Sequence, residues 1–233
     1  MIDLAYSIGN LAVVCTFFLF LSGSQLCHKI IKTNSVGDIS PLPFLTAFIN
    51  CVIMFLYGML IKNYQIIFIN VVGFNLEIVY IIIFLFYTQN KRKVIHQIIF
   101  ITVITITVGF YAFVYEPDPT ISSKYIGFLG CIASVIMFGS PLTSLRNVMI
   151  SKSTESLSFY LCLANFSCSF LWSVYGIMLS DKFIYIPNII GSLLGFAQVS
   201  LFAKFPSQSL NTRSKLKTDE PALWSKTFGV KEV

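Results

Sequence analysis

The chain has 233 residues, of which 56% are hydrophobic and 11% charged, with a mean hydropathy of +0.80 and a formal net charge of +6. Its apolar content exceeds what a soluble core requires, and its charges fall in short clusters between long apolar runs, which excludes an ordinary water-soluble domain. The basic excess does not point to nucleic acid, because the Lys and Arg residues lie in loops and a tail and not along one stripe.

A helix needs about 20 mostly apolar residues to cross the hydrocarbon layer. Seven segments meet that demand: Tyr6 to Cys27, Leu42 to Ile61, Ile66 to Tyr87, Ile95 to Tyr115, Tyr125 to Met149, Phe159 to Leu179 and Phe183 to Phe205. The expected fold is therefore all-α and integral to the membrane, with seven transmembrane helices and linkers too short for a soluble domain. No basic region precedes the first apolar segment, so it is expected to stay as helix one instead of being cleaved as a signal. Residues 206–233 are polar and turn-rich, and are expected to form a disordered tail. Six cysteines lie in or beside apolar stretches without metal-ligand spacing and read as packing residues. The formal sequon at Asn165 falls inside an apolar span and reads as a chance match.

Lys29, Lys32, Lys91, Arg92, Lys93, Arg146, Lys152, Lys204 and the tail cations fall on one side of the membrane. Lys62, Lys124 and Lys182, with Glu116, Asp118 and Asp181, fall on the other. The positive-inside tendency makes the first side cytosolic and the N-terminus external.

Tyr57-Gly58 recurs 118 residues later as Tyr175-Gly176. The same offset carries Phe20 to Phe138, Ser22 to Ser140, Ser35 to Ser153, Ser40 to Ser158, Asn70 to Asn188 and Gly73 to Gly191 without a gap. Agreement in one register marks a duplicated unit. The expected organisation is a first three-helix repeat over residues 1–93, a linker helix within 94–123, a second three-helix repeat over 124–205, and the tail. A three-helix unit reverses direction across the bilayer, so the linker helix restores parallel orientation between the two copies.

A polar side chain in hydrocarbon costs about 1–3 kcal/mol or more without a partner, so each one asks for an explanation. Asn70 and Asn188 would face each other across the pseudo-twofold axis, where uncharged amides suit vicinal hydroxyls; alternatively each bonds a neighbouring backbone as structural glue. Trp172 is the one tryptophan inside a span, with Met54 as its counterpart at the offset. It either stacks on a sugar ring or anchors at the interface. Pro43, Pro141 and Pro187 are candidate bending points whose freed carbonyls could face a cavity, and Pro41 marks a helix start. Glu77, the one acid well inside a span, is either a proton-coupling carboxylate or a structural one. Asp181 either stabilises the start of helix seven or bonds Tyr57 to close the external mouth. Neither enzyme motifs nor metal-binding spacings are present, so no cofactor is expected.

The stretches Ser40-Pro41-Leu42-Pro43-Phe44, Asn50-Cys51, Tyr57-Gly58, Gly139-Ser140-Pro141-Leu142, Lys152-Ser153-Thr154-Glu155-Ser156, Trp172-Ser173-Val174-Tyr175-Gly176 and Ile186-Pro187-Asn188 together resemble the SWEET (MtN3/saliva) sugar-transporter family. The likeness runs from about Ile8 to Phe205 and leans towards animal members. Parallel repeats about an axis along the membrane normal are an established transporter design, of which SWEETs are an example. The resemblance implies a passive alternating-access uniporter for a small sugar, glucose or another hexose first, forming homo-oligomers in the lipid bilayer. It also implies substrate contacts at Asn70, Asn188 and Trp172 with Met54 narrowing the pocket, an outer gate at Tyr57 and Asp181, and hinges at Pro43 and Pro141. The remaining two hinge prolines of the family stand as Gly23 and Ser158 here. The plasma membrane is the expected location, with the Golgi or another endomembrane second. Other readings are a proton-coupled amino-acid or cystine carrier of the PQ-loop type, a seven-helix receptor, and a non-transporting scaffold.

Overall fold

The computed structural model of the chain describes residues 2–155 and 157–205, and within them it is all-helical. The expected disorder of the tail lies outside the described residues. The helices are α1 (Ile2–Thr33), α2 (Leu42–Leu60), α3 (Tyr64–Tyr87), α4 (Lys91–Phe110) continuing as a π turn (Tyr111–Tyr115), α5 (Pro119–Met137), α6 (Gly139–Ser151), α7 (Phe159–Met178) and α8 (Lys182–Lys204). Among the described residues, seven spans are long and apolar enough to cross a membrane, with α5 and α6 together forming the fifth.

Two boundaries differ from expectation. Several helices run past their apolar runs, α1 to Thr33 and α4 from Lys91, because backbone hydrogen bonding continues into the headgroup region where charged side chains are solvated. Helix α5 begins at Pro119, ahead of the apolar run expected from Tyr125, since Pro at the first helical position and the Asp118 cap start it earlier. The Thr120 amide donates to Asp118 Oδ1 at 2.8 Å, and this bonding holds the Asp118 carboxyl below its usual range.

The duplication is visible in the backbone itself. Among the described residues, the four non-glycine residues with positive φ are Asn34, Lys62, Lys152 and Ser180, which form two pairs at the 118-residue offset. Lys62 and Ser180 follow α2 and α7, and each of these helices closes with the same bonds: Asn63 N–H to Gly58 O and Asp181 N–H to Gly176 O, both 2.9 Å. In each half the third helix packs against the other two: α3 on α1 and α2, and α8 on α5 and α7. The halves meet twice, through α1 on α7 and through α2 on α5.

Large apolar side chains fill these interfaces, and small residues set their closest approaches. The buried stripe of α3 is Ile66, Ile69, Asn70, Gly73, Glu77, Tyr80 and Phe84, and that of α8 is Ile184, Pro187, Gly191, Gly195, Gln198 and Leu201. A Cβ at Gly73 would meet Phe20 and Cys51, and one at Gly191 would meet their counterparts Phe138 and Ser169. Lipid solvates leucine as well as a neighbouring helix does, so close backbone approach at small residues decides which faces turn inward. The linker α4 shows the converse. It buries Val94 along its α-helical length and Ala112 in its π turn, while Phe100, Ile106 and Phe110 are exposed.

Candidate functional site

One chamber of about 760 Å3 runs between the halves, and Asn70, Asn188, Trp172, Met54, Pro43 and Gly23 all line it. Its volume lies within the range of about 300–1,000 Å3 that accommodates small-molecule ligands. The second turn of α3 and the second turn of α8 supply the amides. Each Nδ2 donates to the carbonyl four residues back, Asn70 to Ile66 O at 2.8 Å and Asn188 to Ile184 O at 2.7 Å. These bonds stay within each helix, so neither amide glues helices together, and each retains its Oδ1 acceptor and one further N–H donor.

Trp172 is buried inside the bundle and is not an interfacial anchor. Its Nε1–H donates to Thr16 Oγ1 at 2.8 Å, and the same hydroxyl lies 3.1 Å from Cys168 Sγ. The indole N–H is therefore committed in this conformation, and what remains for a ligand is the ring face. The other half repeats the arrangement in muted form: Ser134, the counterpart of Thr16, donates to Asn50 Oδ1 at 3.1 Å beside Met54.

The chamber is closed at one end by two matched bonds. Tyr57 Oη donates to Asp181 Oδ2 at 2.6 Å, and Asn63 Nδ2 donates to Tyr175 Oη at 2.8 Å. Both tyrosines are 3% exposed, so these bonds sit in a sealed layer with Ile66 and Ile184 beneath them. Asp181 makes both contacts weighed for it, since its Oδ1 also accepts from Phe183 N at 3.0 Å to cap α8. At the opposite end, the membrane face carrying most of the basic residues, Gln25, Lys29, Pro43 and Leu161 form an open mouth.

The proposed hinges separate into different local structures. Pro141 stands just beyond the interruption between α5 and α6 at Phe138, and its missing N–H leaves Met137 O without the usual partner. Gly23, its counterpart, sits in an α1 that runs unbroken, packed against the Tyr80 ring. Pro43 is the second residue of α2, where its lost donor would have been unsatisfied in any case, so it lines the mouth without kinking the helix. Ser158 is the N-cap of α7, with Oγ accepting from Leu161 N at 3.4 Å, and it lies outside the chamber lining. The residue 118 positions after Pro43 is Leu161, which does line the chamber; the offset that finds Asn188 from Asn70 also finds Leu161. Within α8, Pro187 frees the Phe183 carbonyl, which Cys131 Sγ meets at 3.6 Å instead of leaving it to the chamber.

Asn165 also lines the chamber, although the sequence offered it only as an inaccessible sequon. Glu77 and Lys29 are the charged residues of the lining, so the uncharged polar chamber expected from the amide pair holds at the level of Asn70 and Asn188 and not nearer the mouth. Among the described residues no three His, Cys, Asp or Glu side chains converge as a metal site.

The family model described as "Sugar efflux transporter for intercellular exchange" matches residues 6–92 and again residues 124–210, two copies displaced by the same 118 residues. The chain belongs to the SWEET family. It is 37% identical over 208 residues to "Sugar transporter SWEET1" of Drosophila pseudoobscura pseudoobscura, covering 87% of this chain and 90% of the fly protein. It is 32% identical to "Bidirectional sugar transporter SWEET2" of Arabidopsis thaliana, covering 91% of each. A solved eukaryotic SWEET transporter superposes with a TM-score of 0.81 at 28% identity, covering 86% of this chain and 96% of that one. The animal leaning and the seven-helix membrane fold expected from the motifs are thus shown for this SWEET. A family of transporters, not enzymes, is where it belongs, and its duplicated matches leave no place for the receptor reading.

Proposed function

We propose that this SWEET is a passive uniporter that moves a hexose, glucose first, by alternating access of the chamber to the two membrane faces. The observation that carries the reading is the pairing of Asn70 and Asn188, with the Trp172 ring and Met54, in one chamber sealed at one end by Tyr57–Asp181 and Asn63–Tyr175 and open at the other. Amide acceptors and donors exchange sugar hydroxyls for water without a net charge, and an aromatic face stacks on the C–H face of a pyranose. Met54, larger than a small residue, narrows the wall opposite Trp172 and favours one ring over two. Pro141 with Gly23, and Pro43 with Leu161 in the place first assigned to Ser158, are the positions about which the halves pivot. The basic face is the cytosolic one by the positive-inside tendency, which puts the N-terminus outside. The plasma membrane is the proposed location, with a Golgi or other endomembrane site the alternative, and the working unit is a homo-oligomer.

The test is radiolabelled uptake in cells lacking their own hexose transport, using a panel of hexoses and disaccharides with and without an imposed pH gradient. Saturable glucose entry, accelerated by unlabelled sugar on the far side and indifferent to the gradient, is expected. Glu77 in the lining favours a second reading, a proton-coupled amino-acid or cystine carrier. Among the described residues the lining holds no histidine and no second acid to form a relay with it. PH-driven current with an amino acid would establish that reading in place of uniport.

The sealed end gives a further expectation. Tyr57→Phe removes the hydroxyl bonded to Asp181 while leaving Asp181 free to cap α8. A hydrogen bond to a charged group contributes about 1.5–3 kcal/mol, so its loss shifts the population towards the state open at the Asp181 face by about 10- to 100-fold. Mass spectrometry should find Cys168, which lines the chamber, labelled at least several-fold faster in the variant by a membrane-impermeant thiol reagent applied from that face. Equal labelling would show that this bond does not hold the gate.

A further inference from the structure

The third helices of the two halves agree at Ile66/Ile184, Asn70/Asn188 and Gly73/Gly191 and part company one turn further along. Asn70, Gly73 and Glu77 follow one another along the same face of α3, and their counterparts on α8 are Asn188, Gly191 and Gly195. At Gly195 the space is taken by α7: a Cβ there would lie 2.9 Å from Phe166 Cα and 3.1 Å from its backbone N. Where the second half has closed that position with backbone, the first half carries a carboxyl that lines the chamber.

That carboxyl is not explained by the fold. Glu77 is 6% exposed, and its Oε2 is buried without a hydrogen-bond partner among the described residues. Tyr80, one turn further along α3, donates to Phe20 O at 2.9 Å, so its hydroxyl is committed elsewhere. Lys29 shares the lining but is exposed at the mouth. A buried carboxyl oxygen left unpaired is a net cost to folding, and buried polar groups are ordinarily paired, so this one calls for a partner.

We propose that Glu77 is a second sugar-binding station, which accepts hydrogen bonds from one or two hydroxyls when the chamber is open at the basic face. It rests on the sugar-uniporter reading above and deepens it. Seven residues of α3 place the station about 10 Å from the Asn70 level at about 1.5 Å of rise per residue, between the amide pair and the mouth. A sugar leaving the amides for the basic face meets an acceptor before it meets bulk water. The second half has no equivalent, so the station makes the two halves unequal and selects for a hydroxyl at a defined position on the ring.

The experiment pairs deletions on the protein with deletions on the sugar. Wild type, Glu77→Leu and Glu77→Gln are assayed for transport of glucose and of each of its monodeoxy derivatives. In the wild type, removing the hydroxyl that Glu77 holds should raise the half-saturation concentration by about 10-fold. In Glu77→Leu, glucose itself should show that loss, and the same deoxy sugar should be carried no worse than glucose, while penalties at the other hydroxyls persist. Glu77→Gln keeps the shape and one acceptor and should show an intermediate penalty at that hydroxyl. It carries the test alone if the leucine variant does not reach the membrane. A purely structural role would change all sugars alike. If either folded variant keeps the wild-type penalty at every hydroxyl, the station is disproved while the uniporter reading stands. A wild type that carries none of the sugars overturns both.

Discussion

Replacing Asn188 by Ala should reduce sugar uptake by about 10- to 100-fold, to near background, with the protein still at the cell surface. The amide is half-buried on α8 and lines the chamber opposite Asn70. Its removal leaves a bound hydroxyl without one partner, at a cost of about 1–3 kcal/mol. Folding should survive because the bond that Asn188 makes in the absence of ligand runs to Ile184 O in its own helix and holds no second helix in place. Asn70→Ala should have a comparable effect through the matching bond to Ile66 O. Uptake measured alongside surface biotinylation separates binding from expression, and wild-type uptake by a surface-expressed Asn188→Ala protein would remove the assignment.

Replacing Gly176 should instead remove the protein. A Cβ there would lie 2.7 Å from the backbone N of Tyr185 and 2.9 Å from Ile184 Cγ2, so relief requires α8 itself to move. The same turn donates Asp181 N–H to Gly176 O, and Asp181 in turn holds Tyr57, so displacement of α8 also opens the sealed end. Overpacking a close contact costs about 1–3 kcal/mol, and a rigid backbone neighbour puts Gly176→Val at or above the top of that range. The expected outcome is a large fall in the amount of folded transporter in detergent, read by fluorescence-detected size exclusion after heating. Gly58→Ala is the internal control. Its Cβ would meet Ile66 Cγ2 at 3.0 Å and the Ile67 backbone N at 3.2 Å, a looser fit that predicts a smaller loss. Equal tolerance at both positions would contradict the packing described for the second half.

The gate shows how far a repeat carries sequence reasoning. Tyr57 and Asp181 are legible as a pair because one is a buried hydroxyl and the other an acid at the same membrane face. Their mirror image, Tyr175 with Asn63, lies at the same offset, yet Asn63 has no charge to draw attention and reads as a loop residue. The partnership of Thr16 with Trp172 spans 156 residues, and Thr16 looks like one more hydroxyl in an apolar run. Ser158 shows the converse. Matched to a family's proline, it caps a helix outside the chamber lining, while Leu161, at the strict offset from Pro43, lines the mouth. The break at Phe138 was marked in advance by Pro141, but proline chemistry by itself does not say whether a helix bends, stops or simply begins, as Pro43 at the start of α2 shows.

Membrane residence, seven crossings, the twofold repeat and the matched depth of Asn70 and Asn188 were determined by the order of residues alone. Each follows from quantities that add up along the chain: transfer free energy over about 20 residues, and identity at a constant offset. Which faces line the chamber, where Trp172 spends its N–H, which end is sealed and why Glu77 stands alone were decided only by tertiary structure. In helices apolar on nearly every side, hydropathy cannot distinguish lipid from neighbour. The choice falls to close contacts at small residues and to single hydrogen bonds between side chains more than 100 positions apart.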